Sequence, residues 1–226
     1  SLLALAAVTM IVGVLLALFQ WDFKRLLAYS SISQIGYVVL GIGLGTPLGI
    51  MGGLFHLVNH AVFKSLLFLN AGAVEYNTET RQLEKMGGLR EKMPVTANTS
   101  LIASMSISGV PPFSGFWSKL VIIVACVQAG HLGLAAVAVF SSIITLAYLL
   151  KVQRYAFWGT LNKTWQHLRE VPLPMTGAMI FLTVICLLSA LLIIPSFNNA
   201  FLQPAVQTLL FGVKYGRTLS GTIPIP

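Results

Sequence analysis

Charge is what this sequence most lacks. Asp, Glu, Lys and Arg together make up 9% of its 226 residues, and only six of those are acids. A soluble domain is about a quarter charged, so this chain could not solvate a water-facing surface. The remaining solvent is lipid, where backbone polar groups must be satisfied internally by helices or by a closed barrel. The apolar residues (56%) fall in long continuous runs without period-two alternation, and the mean hydropathy is +0.85. That pattern excludes a barrel and leaves helices.

Cysteine is nearly as scarce. Cys126 and Cys186 lie inside apolar runs with no C-x-x-C or metal-ligand spacing, and read as small core residues. No cysteine set could hold an iron–sulfur cluster and no nucleotide fingerprint is present, so no cofactor or metal site is expected in this chain. Gly41-Ile42-Gly43-Leu44-Gly45 resembles a phosphate loop superficially, but no lysine follows it, and a flexible turn is expected there. The net charge of +8 does not indicate nucleic acid, because the basic residues sit in short loops between apolar spans.

What is present is a fold class: an all-α, polytopic transmembrane bundle of about six spans, one of them broken by proline. At 1.5 Å per residue, six segments can cross about 30 Å of hydrocarbon. They run approximately Leu2–Phe19, Leu26–Leu44, Leu48–Val74, Thr96–Ala129, Leu132–Ala156 and Met175–Pro195. The stretch Ser196–Pro226, with Pro204, Gly212 and Gly216, predicts a short interfacial helix and an irregular tail. No polar linker divides the chain into separate lobes.

The loops alternate in charge. Lys24, Arg25, Arg81, Lys85, Arg90, Lys92, Lys151, Arg154, Lys163 and Arg169 all fall on one side if the spans alternate. So do all the acids, Asp22, Glu75, Glu79, Glu84, Glu91 and Glu170. The positive-inside rule makes that side cytoplasmic. Only four basic residues are left over: Lys214 and Arg217 in the tail, and Lys64 and Lys119 inside apolar spans.

Lys64 ends a run in which His56, His60 and Lys64 are spaced four apart, placing three titratable groups on one helix face over about 12 Å. Asn59 widens the stripe. A charge at mid-bilayer costs about 2.5–3.5 kcal/mol on insertion scales, so a stack of such groups indicates a proton or ion relay more than a plain polar contact between helices. Histidine titrates near neutrality, which suits proton transfer. Metal binding is set aside, because H-x-x-x-H has neither the intervening glutamate of zinc proteases nor a third ligand nearby.

The fourth span is too long for one straight crossing and contains Ser108-Gly109-Val110-Pro111-Pro112-Phe113-Ser114-Gly115. Pro111 and Pro112 remove two backbone donors and predict a discontinuous helix whose unwound backbone lines an ion path, with Lys119 two turns on. In the second span, Ser30, Ser33, Gln34 and Tyr37 share a face. Those groups either order a water chain or hold helices together; both readings stand.

Three segments resemble a known family: Asp22–Tyr37 (DFKRLLAYSSISQIGY), His56–Phe68 (HLVNHAVFKSLLF) and Gly109–Lys119 (GVPPFSGFWSK). In this order and spacing they are similar to the second half of the antiporter-like subunits of respiratory complex I, Mrp antiporters and group 4 membrane-bound hydrogenases. The resemblance implies two inverted five-helix repeats in a full subunit, with residues 1–158 as the second. Residues 159–226 would then be a cytoplasmic loop, a final transmembrane helix and the tail. It implies that Lys64 is the central-axis lysine, His56 and His60 its relay neighbours, and Lys119 the terminal ion-releasing position. The chain opens on Ser1 directly at a span, and an earlier repeat with its own glutamate–lysine pair is missing. A fragment or a split subunit is therefore expected, with another chain or segment supplying the first repeat.

Function follows as an expectation. The chain would translocate ions, protons first, as a membrane subunit of a redox-driven complex I-type or hydrogenase-type oxidoreductase. It would itself be non-catalytic, with iron–sulfur clusters in partner subunits, in the inner or plasma membrane. The alternative is a subunit of an Mrp-type Na⁺/H⁺ antiporter without redox chemistry. Phe116–Gly130 and Lys151–Phe157 resemble the hydrogenase and complex I members more than the Mrp ones. A bare membrane anchor is disfavoured, since each buried ionisable group costs energy that an anchor avoids.

Overall fold

A computed structural model describes residues 2–211, and every regular element in them is helical. In chain order these are α1 (Leu2–Leu18), α2 (Phe23–Gly43), α3 (Pro47–Thr78), α4 (Pro94–Ser108), α5 (Ser114–Gln128), α6 (Leu132–Val152) and α7 (Leu173–Leu188). A π-turn, Gln153–Phe157, continues α6, and a 3₁₀ turn, Ser189–Ile193, continues α7. Short turns then lead to a last helix, Gln203–Phe211. The expected tail with Gly212, Lys214, Gly216 and Arg217 lies outside the described residues.

Among the described residues, four stretches are long and apolar enough to cross a membrane: Phe23–Gly43, Pro47–Thr78, Leu132–Phe157 and Leu173–Ile193. Leu2–Leu18 and Ser114–Gln128 are shorter apolar helices. The chain is a multi-pass membrane protein, and the fourth expected span is divided into α4 and α5.

Local chemistry sets the helix ends. Asp22 caps α2 by accepting the Arg25 N–H at 2.9 Å, and Thr46 caps α3 by accepting that of Gly49 at 3.1 Å, with Pro47 in the first turn. The α4 cap comes from far along the chain: Glu170 accepts the Val95 and Thr96 amides at 2.8 and 3.2 Å. A carboxylate is favoured there by the free N–H groups and the positive end of the helix dipole. Gly109, at φ 79°, ends α4 in the left-handed conformation.

The charged residues gather at one end of the bundle. There Lys24 pairs with Glu75 at 2.5 Å and Arg81 with Glu75 at 3.4 Å. Lys151 donates to the Leu18 and Gln20 carbonyls, each at 2.6 Å, closing the C-terminus of α1. The Trp165 indole donates to the Lys85 carbonyl at 3.0 Å. α4 begins at this end, held by Glu170, and α5 finishes beside Gly130 and His131 at the opposite end. The two halves together therefore make one crossing.

The glycine run Gly41–Gly45 departs from the expected flexible turn. Gly41 and Gly43 are helical, and only Gly45, at φ 66°, belongs to a turn. The reason is a close crossing of α2 and α3: a Cβ on Gly41 would lie 2.7 Å from the Gly49 carbonyl and 2.9 Å from Gly53. Small residues let transmembrane helix backbones approach in this way. Apolar side chains of α1, α6 and α7, among them Leu5, Val8, Phe140, Ile143 and Phe181, remain exposed on the outside of the bundle.

Candidate functional site

α2, α3 and α5 bring the expected polar residues together in the interior. Lys64 is buried on α3, and its Nζ donates to the Leu27 carbonyl at 2.6 Å and to Ser30 Oγ at 2.8 Å on α2. The Phe68 ring centroid lies 5.8 Å from the same nitrogen. Two turns earlier on α3, His56 is fully buried between two helices. Its Nδ1 is 2.9 Å from Ser118 Oγ on α5 and its Nε2 is 3.2 Å from Gln34 Oε1 on α2. Gln34 Nε2 in turn reaches Thr145 Oγ1 on α6 at 3.4 Å.

Lys119 lies just past the helix break. Its Nζ donates to the Ile107 carbonyl at 2.7 Å, one of the carbonyls that the end of α4 leaves free, and to Ser142 Oγ at 3.2 Å. It also stands 4.8 Å above the Tyr37 ring, an arrangement that favours a cation. Tyr37 is fully buried, hydrogen-bonds to the Ala138 carbonyl, and has its ring centroid 5.3 Å from that of His56. Neither Lys64 nor Lys119 is ion-paired among the described residues; both rest on neutral oxygens.

The sequence-derived residues do not all behave alike. Asn59 donates to the Ser114 carbonyl at 3.1 Å and so holds the start of α5. Ser30 and Gln34 reach α3 and α6, whereas Ser33, also buried, packs against Gly13 of α1. His60 is only half-buried, makes no hydrogen bond through its Nε2, and packs edge-on against Phe63. Pro111 and Pro112 were expected to line the path, but both are exposed. Their part is to stop the helix. The groups that face inward at the break are the Ile107, Ser108 and Ser114 carbonyls.

Several participants escaped the sequence reading. Ser118, Ser142 and Thr145 supply the hydroxyls that tie His56, Lys119 and Gln34 to neighbouring helices. Buried polar atoms without a partner occur on α2, α3, α5 and α6: Ser33 Oγ, Asn59 Oδ1, His60 Nε2, Ser114 Oγ, Ser141 Oγ and the Tyr148 hydroxyl. Interior polar atoms are nearly always bonded, so these mark a lining that water can bridge. A cleft of about 240 Å³ opens beside Lys119, walled by Ser108, Gly109, Phe116, Ser142 and Leu146. Among the described residues, no three His, Cys, Asp or Glu side chains converge to hold a metal.

In class this is a transmembrane helix bundle with one broken span, two buried lysines and a hydrogen-bonded histidine–amide pair in its interior. The comparisons make the class specific. The family model described as NADH:quinone oxidoreductase/Mrp antiporter, TM matches residues 1–145, and the chain belongs to that family. It is 44% identical over 163 residues to a Na(+)/H(+) antiporter subunit of Alkalihalophilus pseudofirmus, covering 72% of this chain and 33% of that one. It is 39% identical to an NADH-quinone oxidoreductase subunit of Mycobacterium tuberculosis, covering all of this chain and 40% of the relative. Among solved structures, the Mrp complex from Dietzia sp. DQ12-45-1b matches with a TM-score of 0.86 at 28% identity, covering 95% of this chain and 48% of that one. The chain thus spans between a third and half of the length of these relatives.

Proposed function

We propose that this chain carries protons across the membrane as the antiporter-like module of a redox-driven complex I-type or hydrogenase-type pump. The observation that carries the reading is the pair of buried lysines, each free of ion pairs among the described residues and held by neutral oxygens, with a hydrogen-bonded Gln34–His56–Ser118 string whose Gln34 lies one turn from Ser30 and whose Ser118 is the neighbour of Lys119 in the chain. Such groups are expensive to keep in a membrane interior unless their protonation is used. Nitrogen bases line the string while every acid sits at the charged end, which favours protons over sodium. In this reading Lys119 exchanges its proton at the helix break and Lys64 reloads it through Ser30, Gln34 and His56.

On the same reading residues 1–158 are the second of two inverted repeats. A separate chain or segment contributes the first, iron–sulfur clusters reside in partner subunits, and the charged end faces the cytoplasm of a plasma or inner membrane. A second reading, a gradient-driven Na⁺/H⁺ antiporter subunit, is supported by the likeness to the Alkalihalophilus subunit and the Dietzia complex.

Two experiments test the proposal. In sealed vesicles containing the intact assembly, Lys64→Ala and Lys119→Ala should each reduce translocation by at least about tenfold with normal assembly. Normal rates in both would refute the relay. Mass spectrometry of natively purified protein separates the two readings: iron–sulfur subunits are expected for the first, and their firm absence favours the second.

A further inference from the structure

α4 carries a file of hydroxyls that the relay above does not use. Thr96, Ser100, Ser104 and Ser108 recur every fourth residue, so they share one face over about 18 Å of helix, and all four are buried. The file runs from the charged end toward the helix break. At its outer end Thr96 Oγ1 donates to Glu170 at 2.6 Å. At its inner end Ser142 Oγ donates to the Ser108 carbonyl at 2.8 Å, and the same oxygen accepts from Lys119 Nζ at 3.2 Å.

Hydroxyls at helical spacing often bond only to their own helix, as Ser108 does to the Ser104 carbonyl at 2.7 Å. Gln153 distinguishes this file. It is fully buried at the start of the π-turn after α6, and its Nε2 donates to Ser100 Oγ and Ser104 Oγ, both at 3.0 Å. Its Oε1 is buried without a partner beside the same two serines. An uncharged amide held there with an unsatisfied acceptor marks a place that receives a donor, and water is the donor small enough to pass. On the α3 side, Asn70 Oδ1 accepts from Thr99 Oγ1 at 2.7 Å, keeping the interval between Thr96 and Ser100 polar.

We infer that this file is a second proton route, joining the charged end at Glu170 to Lys119 without passing Lys64 or His56. From Thr96 to Ser104 each hydroxyl or intervening water accepts one proton and releases another, and water carries the proton between Ser104 and Lys119 past the Ser108 carbonyl, which only accepts. The transfer therefore balances with an amine N–H formed or broken at Lys119 and a proton exchanged with water at Glu170. Gln153 acts as a positioning residue that holds Ser100 and Ser104 as acceptors, leaving their own O–H bonds available for onward transfer. The inference rests on the translocation reading and adds a connection that reading does not require.

The test uses the intact assembly in sealed vesicles, with rates normalised to assembled complex and Lys119→Ala as the reference. Ser104→Ala combined with Gln153→Met, which keeps volume and loses the polar groups, should slow proton translocation roughly tenfold, the equivalent of one lost hydrogen-bonded step. Ser104→Thr, which restores the hydroxyl, should stay within about twofold of the parent, a rescue that a packing role would not give. The route is refuted if the double variant runs at the parent rate while Lys119→Ala is inactive, or if Ser104→Thr is as slow as Ser104→Ala. A fully active Lys119→Ala would remove the translocation reading, and this inference with it.

Discussion

At the scale of single residues, the two histidines of the α3 stripe have separated in importance. Both belong to the four-residue repeat that ends at Lys64 and read equally in the sequence. Only His56 bridges two helices, through Ser118 and Gln34, while His60 is half-buried against Phe63. His56→Leu is therefore expected to lower translocation in vesicles about tenfold or more, and His60→Leu severalfold less. Equal losses would mean that the bonded string is not the working path. Lys151 calls for a different measurement, because its ammonium holds the Leu18 and Gln20 carbonyls and lies 4.8 Å from the Trp21 ring. Hydrogen bonds to a charged group contribute about 1.5–3 kcal/mol, so Lys151→Met should lower the detergent-solubilised thermal midpoint by several degrees. Spacing could nominate Lys64, Lys119 and the histidines, because buried charge is conspicuous in an apolar sequence. It could not nominate Ser118, Ser142 or Thr145, because serine and threonine are common in membrane helices and their partners lie on other helices.

At the scale of elements, the broken span shows what a local signal can and cannot carry. Two adjacent prolines forbid a continuous helix, and the break between Ser108 and Ser114 follows. Which atoms then face the interior depends on how α4 and α5 pack, and packing turned the prolines outward and the freed carbonyls inward. Gly115 is where the two halves meet. A Cβ there would collide with the Ser106 carbonyl, a backbone atom that cannot swing aside. Gly115→Ala should therefore push α5 away from α4 and move the Lys119 amine off the Ile107 carbonyl. We expect a loss of about 2–3 kcal/mol in stability, typical of forced overpacking, together with impaired translocation. A thermal midpoint matching the parent would show that the halves are less tightly joined than this contact indicates. The glycines of α2 teach the same lesson. Gly41-Ile42-Gly43-Leu44-Gly45 has the composition of a turn, yet the need for α2 and α3 to approach closely fixed the first two glycines in helix.

At the scale of the whole molecule, the alternation of charged and uncharged loops predicted the topology, and the bundle follows it: Asp22, Glu75 and Arg81 meet at one end, while Gly130 and His131 lie at the other. This was legible because charge and hydrophobic length are properties of short sequence windows. The close crossings and the reach of Glu170 to α4 depend on contacts between residues far apart in the chain, and no window contains them. The ion pairs at the charged end are partly exposed, and such pairs contribute about 0–1 kcal/mol, so they organise the end of the bundle more than they stabilise it. Their collective effect is orientation. Ten basic residues at one end and none in the Gly45 or Gly130 turns should fix that end in the cytoplasm. Arg90 is exposed in the loop between α3 and α4, whereas Cys126 and Cys186 are buried, so a cysteine placed at position 90 is a clean reporter. Arg90→Cys should react with a membrane-impermeant maleimide in inverted vesicles and stay unlabelled in intact cells. The reverse pattern would put the uncharged turns in the cytoplasm. Protons taken up at Glu170 or loaded onto Lys64 would then start from the opposite compartment.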